Sequence, residues 1–91
     1  MAEDAFARKF AELADTFRVQ LPGRLAELER LAAAGPDALN ELRGVAHRLA
    51  GQGGTFGMPE VTERARAVEV ADPADLPAAL AALADAVGRQ G

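Results

Sequence analysis

Cysteine, tryptophan and tyrosine are all absent from this 91-residue chain, and histidine occurs once. Without cysteine there is no disulfide framework, no thiolate-ligated metal and no cysteine nucleophile. One histidine excludes a multi-histidine metal or haem site within a single copy, so no metal site is expected. Basic residues are outnumbered, 10 Lys+Arg against 14 Asp+Glu for a net charge of −4. Nucleic-acid binding needs the opposite balance to neutralise phosphates. No apolar run approaches the roughly 20 residues that cross a bilayer, the stretch Pro77–Ala84 included. No basic segment followed by an apolar one opens the chain as an export signal would. The expectation is a soluble, unexported, cytoplasmic protein with no membrane or nucleic-acid partner, present as a monomer.

Strand-forming residues are scarce as well. Val, Ile and Thr together number nine, against 22 Ala and 11 Leu. Ala, Leu, Arg and Glu favour helices, whereas strands draw on β-branched and aromatic residues. With 49% hydrophobic and 26% charged residues, the composition is globular. Ninety-one residues supply one core, so a single domain over 1–91 is expected.

Apolar residues recur at helical spacing along nearly the whole chain. Phe6, Phe10, Leu13 and Phe17 form one stripe, and Leu21, Leu25, Leu28 and Leu31 continue it. Pro22 cannot donate to the carbonyl of Arg18, so it either starts a second helix or kinks a long one. The spacing predicts two nearly continuous helices over roughly 2–19 and 21–34. Gly35-Pro36 marks a stop and a new start. A third helix carries Leu39, Leu42, Ala46, Leu49 and Gly53 inward, then fades into the glycine-rich run Gly51 to Gly57. Pro59 opens a fourth helix with Val61, Ala65 and Val68 inward, and Pro77 opens a fifth with Leu76, Leu80, Leu83 and Val87 on one face. Short connections between amphipathic segments describe an all-α, antiparallel four-helix bundle. The first segment is an additional N-terminal helix, or one half of a kinked first helix.

His47 stands apart from this pattern. Each helical residue turns by about 100°, which points His47 away from the inward stripe of Leu39, Leu42, Ala46 and Leu49. Its neighbours on the outer face are Arg43, Gly44, Ala50, Gly51 and Gly54. Each glycine inside a helix costs roughly 1 kcal/mol relative to alanine. Gly51, Gly53 and Gly54 can be read as a helix end, but Gly44 precedes the histidine and lies well inside the periodic segment. A flank cleared of side chains leaves the imidazole within reach of another macromolecule. The glycines fit neither a dinucleotide fingerprint nor a Walker loop, and no strand precedes them. No nucleotide site is expected, and hence no kinase activity.

The run His47-Arg48-Leu49-Ala50-Gly51-Gln52-Gly53-Gly54-Thr55-Phe56-Gly57 resembles the signature of histidine-containing phosphotransfer (HPt) domains. The likeness extends through Met58-Pro59-Glu60-Val61 to Ala67-Val68-Glu69. It implies a four-helix bundle whose exposed histidine takes a phosphoryl group from a receiver-domain aspartyl phosphate and passes it to another receiver. His47 maps onto the acceptor, with Nε2 attacking. Glu69 maps onto a position where a Glu or Gln accepts a hydrogen bond from Nδ1–H, leaving Nε2 free. Gly51 would let a receiver close over the ring, and Gly57 would permit the turn into the next helix. Thr62, two turns before Glu69, reaches towards the edge of the site and is assigned no role.

One departure stands out: where the family usually has lysine, three residues after the histidine, this chain has Ala50. Arg43, on the same face one turn earlier, is the first-ranked substitute; Arg48 swinging over and the receiver supplying all the positive charge are the other two possibilities. Between 43 and 66 four arginines face two glutamates, a local net +2 on an acidic chain that suits docking to an acidic pocket. The expected docking surface is thus Arg43, Gly44, Arg48, Ala50, Gly51 and Gly54. The implied partners are receiver domains, with a hybrid histidine kinase as a further candidate. No cofactor is expected in this chain, and Mg²⁺ is expected in the receiver. The missing lysine also leaves open an alternative, an HPt-like module that docks on a receiver or kinase without carrying phosphate.

Overall fold

In the computed structural model, which describes the backbone of residues 2–91 and the side chains of residues 4–91, the apolar spacing resolves into helices alone. They are α1 (Ala2–Ala33), α2 (Leu39–Thr55), α3 (Pro59–Val70) and α4 (Leu76–Gln90), with a 3₁₀ turn at Pro36–Ala38. Contacts between elements place the helices in the cyclic order α1, α2, α3, α4 around one core. Polar cross-links fix their directions. Arg43, His47 and Ala50 of α2 meet Ala71, Glu69 and Thr62 respectively, so α2 and α3 are antiparallel. An ion pair between Arg89 and Glu60 joins the end of α4 to the start of α3.

Pro22 does not break the chain. Where the sequence predicts helices over roughly 2–19 and 21–34, α1 is one helix of 32 residues. An interior proline costs ~3 kcal/mol or more. Phe17 and Leu21 before it, and Leu28 and Leu31 after it, are all buried in the common core. Each such burial contributes about 1.5–3 kcal/mol, so continuing the helix wins. Pro22 itself is exposed, so its ring displaces no core side chain.

At about 1.5 Å per residue α1 is ~48 Å long, close to the 51 Å long axis of the molecule. Its first turns extend beyond the shorter helices, leaving Phe6 and Leu13 exposed. Further along, Phe10 and Phe17 pack on Phe56 at the end of α2, with ring centroids 5.6 and 5.3 Å apart.

α2 also exceeds its expected length, running through Gly51, Gln52, Gly53 and Gly54 to Thr55 before it ends. The stop comes at Gly57, whose φ of 72° is open to glycine and strained for other residues. Met58 N–H reaches back to the Gly53 carbonyl at 2.8 Å and Gly57 N–H to that of Gly54 at 3.4 Å. These are the paired bonds of a Schellman cap.

Gly53 has a different role. A Cβ built there would lie 2.6 Å from Thr62 Oγ1, 3.2 Å from Thr62 N and 3.3 Å from the Met58 carbonyl. The absent side chain lets α3 approach α2 this closely. Overpacking costs about 1–3 kcal/mol and better helix propensity returns up to ~1 kcal/mol. Gly53→Ala is therefore expected to destabilise the fold by about 1–2 kcal/mol in urea denaturation. A stabilised variant would contradict the close approach.

Candidate functional site

The site begins where α2 and α3 are locked together. Thr62 Oγ1 donates to the Ala50 carbonyl at 2.7 Å, a bond across the two helices beside the Gly53 contact. One turn back from Ala50 on α2 stands His47, and two turns on from Thr62 on α3 stands Glu69. The antiparallel packing brings these two together. His47 Nδ1 donates to Glu69 Oε2 at 3.0 Å, with the imidazole 74% exposed and the glutamate side chain 29% exposed.

That bond fixes the chemistry of the ring. A carboxylate can only accept, so in the neutral imidazole the proton sits on Nδ1 and the lone pair on Nε2. Nε2 belongs to a side chain held at one corner by α3 and otherwise open to solvent. The result is an oriented, accessible nitrogen nucleophile.

The glycines of the outer face leave their flanks clear. Nothing lies within 4 Å of a Cβ built on Gly51, and around Gly54 the nearest atom is Thr62 Oγ1 at 3.7 Å. At Gly44 the nearest is Arg48 Nη1 at 3.9 Å, so the exposed Arg48 side chain lies back along that bare turn.

Two of the expected surface residues are placed differently. Ala50 is 3% exposed and belongs to the core. Position 50 follows the histidine by three residues, which rotates it by about 60° to the α3 side of α2, where α3 covers it. Arg43 is half-buried, and its Nη2 donates to the Ala71 carbonyl at 3.4 Å. Its guanidinium thus serves a carbonyl just past the end of α3 rather than the imidazole.

Two residues of α3 were given no individual role by the sequence, Arg66 being counted only in the local positive charge, although helical spacing held the signal. Thr62 is the bolt between the helices. Arg66 lies four residues after Thr62 and three before Glu69, so all three share one face of α3. Among the described residues no cluster of His, Asp or Glu could hold a metal ion. No described helix is long and apolar enough to cross a membrane.

A family model described as Hpt domain matches residues 12–90 of the chain. No curated protein and no solved structure matches it.

Proposed function

The chain belongs to the Hpt domain family, whose modules carry out histidine phosphotransfer in phosphorelay signalling and interact with receiver domains; from that premise we propose that it is a phosphoryl carrier using His47 as acceptor. The observation that supports this most is the exposed imidazole whose Nδ1–H is held by Glu69. In the reaction the Nε2 lone pair attacks the phosphorus of a receiver's aspartyl phosphate. The P–O bond to the aspartyl carbonyl group breaks, and the aspartate leaves as carboxylate. The ring, now bearing phosphorus on Nε2 and a proton on Nδ1, is cationic, and no proton has to depart. Glu69 stabilises that developing charge as well as holding the tautomer. Attack by a second receiver's aspartate on the same phosphorus reverses these steps and regenerates His47.

The bare turns at Gly51 and Gly54, with Gly44 beneath the Arg48 side chain, are the docking surface, on which a receiver's active site closes over the ring. Gly57 keeps the turn that follows in place. Mg²⁺ belongs to the receiver in this reading, and receivers, or a hybrid kinase carrying one, are the cytoplasmic partners. The burial of Ala50 without a lysine gives the alternative, a docking module that carries no phosphate, its one supporting observation.

One assay separates the two readings. The purified chain is mixed with a phosphorylated receiver and separated from it. A carrier acquires label that is acid-labile and alkali-stable, as a phosphoramidate is. A docking module binds the receiver and stays unlabelled. If Glu69 acts as described, Glu69→Ala lowers the transfer rate about 10–100-fold, and Glu69→Gln, which keeps an acceptor for Nδ1–H, falls between it and the native protein. Rapid-quench measurement of label transfer checks both variants. Equal rates in all three proteins would remove Glu69 from the mechanism.

A further inference from the structure

A phosphoryl group on His47 brings close to two negative charges to a ring already bonded to a carboxylate, and position 50 supplies no cation to meet them. Of the arginines nearby, Arg43 is engaged with the Ala71 carbonyl, and Arg48 leans back over Gly44, one turn before the histidine. Arg66 is placed otherwise. It stands on α3 between Thr62 and Glu69, and both of these are tied to α2, at Ala50 and His47 respectively. The face carrying Arg66 is therefore fixed against the histidine edge of α2, at a level between His47 and Ala50. Arg66 borders a shallow depression with Gly54, Thr62 and Glu63 that runs on to Gly57, Met58 and Pro59 at the turn into α3. Glu63 and Glu69 stand three residues to either side, yet the Arg66 side chain is exposed and forms no hydrogen bond or ion pair with any described residue. Gly51 and Gly54, one and two turns after His47, present no side chain on the α2 side.

We propose that Arg66 is the cation that binds the phosphoryl group in transit at His47, acting from the neighbouring helix. A guanidinium is permanently charged and can grip two phosphoryl oxygens at once. Its charge offsets that of the transferring group while Glu69 offsets that of the ring. A lysine at position 50 would have to emerge between α2 and α3, beside Thr62 and Arg66. Arg66 thus delivers from α3 the charge that such a lysine would deliver from α2.

The inference rests on His47 being the acceptor, and the test separates the two claims. Transfer from a phosphorylated receiver is followed at increasing receiver concentration for the native chain, Arg66→Ala and Arg64→Ala. Arg64 is exposed on another face of the same helix and controls for the loss of one positive charge. Arg66→Ala is expected to lower the saturating transfer rate by about tenfold or more, with Arg64→Ala within about twofold of native. Arg66→Ala/Ala50→Lys is expected to recover part of the loss, provided circular dichroism shows it folded. If it does not fold, Arg66→Lys serves instead, retaining charge without the two-pronged grip and falling between native and Arg66→Ala. An Arg66→Ala protein with native saturating rate, whether or not it binds the receiver more weakly, would overturn the proposal. A native chain that takes no label would overturn the carrier reading itself.

Discussion

His47→Gln is expected to take no detectable acid-labile label from a phosphorylated receiver while melting at nearly the native temperature. The ring is 74% exposed, and surface substitutions usually shift stability by no more than about 0.5 kcal/mol. The glutamine amide can still donate to Glu69, so even the cross-helix contact need not be lost. What disappears is the one ring nitrogen with a free lone pair, and an amide nitrogen is no nucleophile. With a single histidine in the chain, no second imidazole can substitute. Persistent label in this variant would place the acceptor elsewhere.

Gly51→Gln is expected to separate stability from binding. Gly51 lies within α2, four residues before its last, and nothing stands within 4 Å of a Cβ built there. Glutamine is a better helix former, so unfolding should become harder by about 0.5–1 kcal/mol. The same side chain would rise one turn from His47, on the surface that a receiver must approach. Blocking it should weaken receiver binding by about tenfold, equivalent to 1.4 kcal/mol. Thermal melts and a titration with an unphosphorylated receiver measure the two effects. Unchanged affinity would mean that the cleared flank has no part in docking.

Much of this arrangement was legible in the sequence because it depends on helical angle. The 100° step alone turns His47 outward while Leu42, Ala46 and Leu49 turn in, and all three are buried. Gly57 could be assigned to a turn, since a glycine after a periodic segment is the usual left-handed stop, and its φ is positive. The nearness of Glu69 to His47 came from family likeness rather than from spacing on one helix, because it depends on how two helices are offset.

What was not legible depends on contacts between helices. Pro22 carries a strong local signal for a break, but burial of Phe17, Leu21, Leu28 and Leu31 on both sides overrides it. Ala50 lies at a borderline angle, and only the position of α3 decides that it is covered. Gly53 sat on the inward stripe in plain view, yet its purpose depends on Thr62, nine residues further on and on another helix. Arg43 could be placed near the histidine by spacing, but the Ala71 carbonyl that engages it lies 28 residues away. Arginines have long side chains, and which of them is free is decided by partners that the sequence does not place.

Because the chain has one histidine, a sample labelled with ¹⁵N at the imidazole gives a single pair of ring resonances. Recorded after phosphorylation by a receiver, that pair tests the assignment of the two ring nitrogens directly. With Nδ1–H held by Glu69, the phosphorus should couple to Nε2, and Nδ1 should keep its proton. Phosphorus found on Nδ1, or an unmodified ring in a protein that carries label, would contradict it.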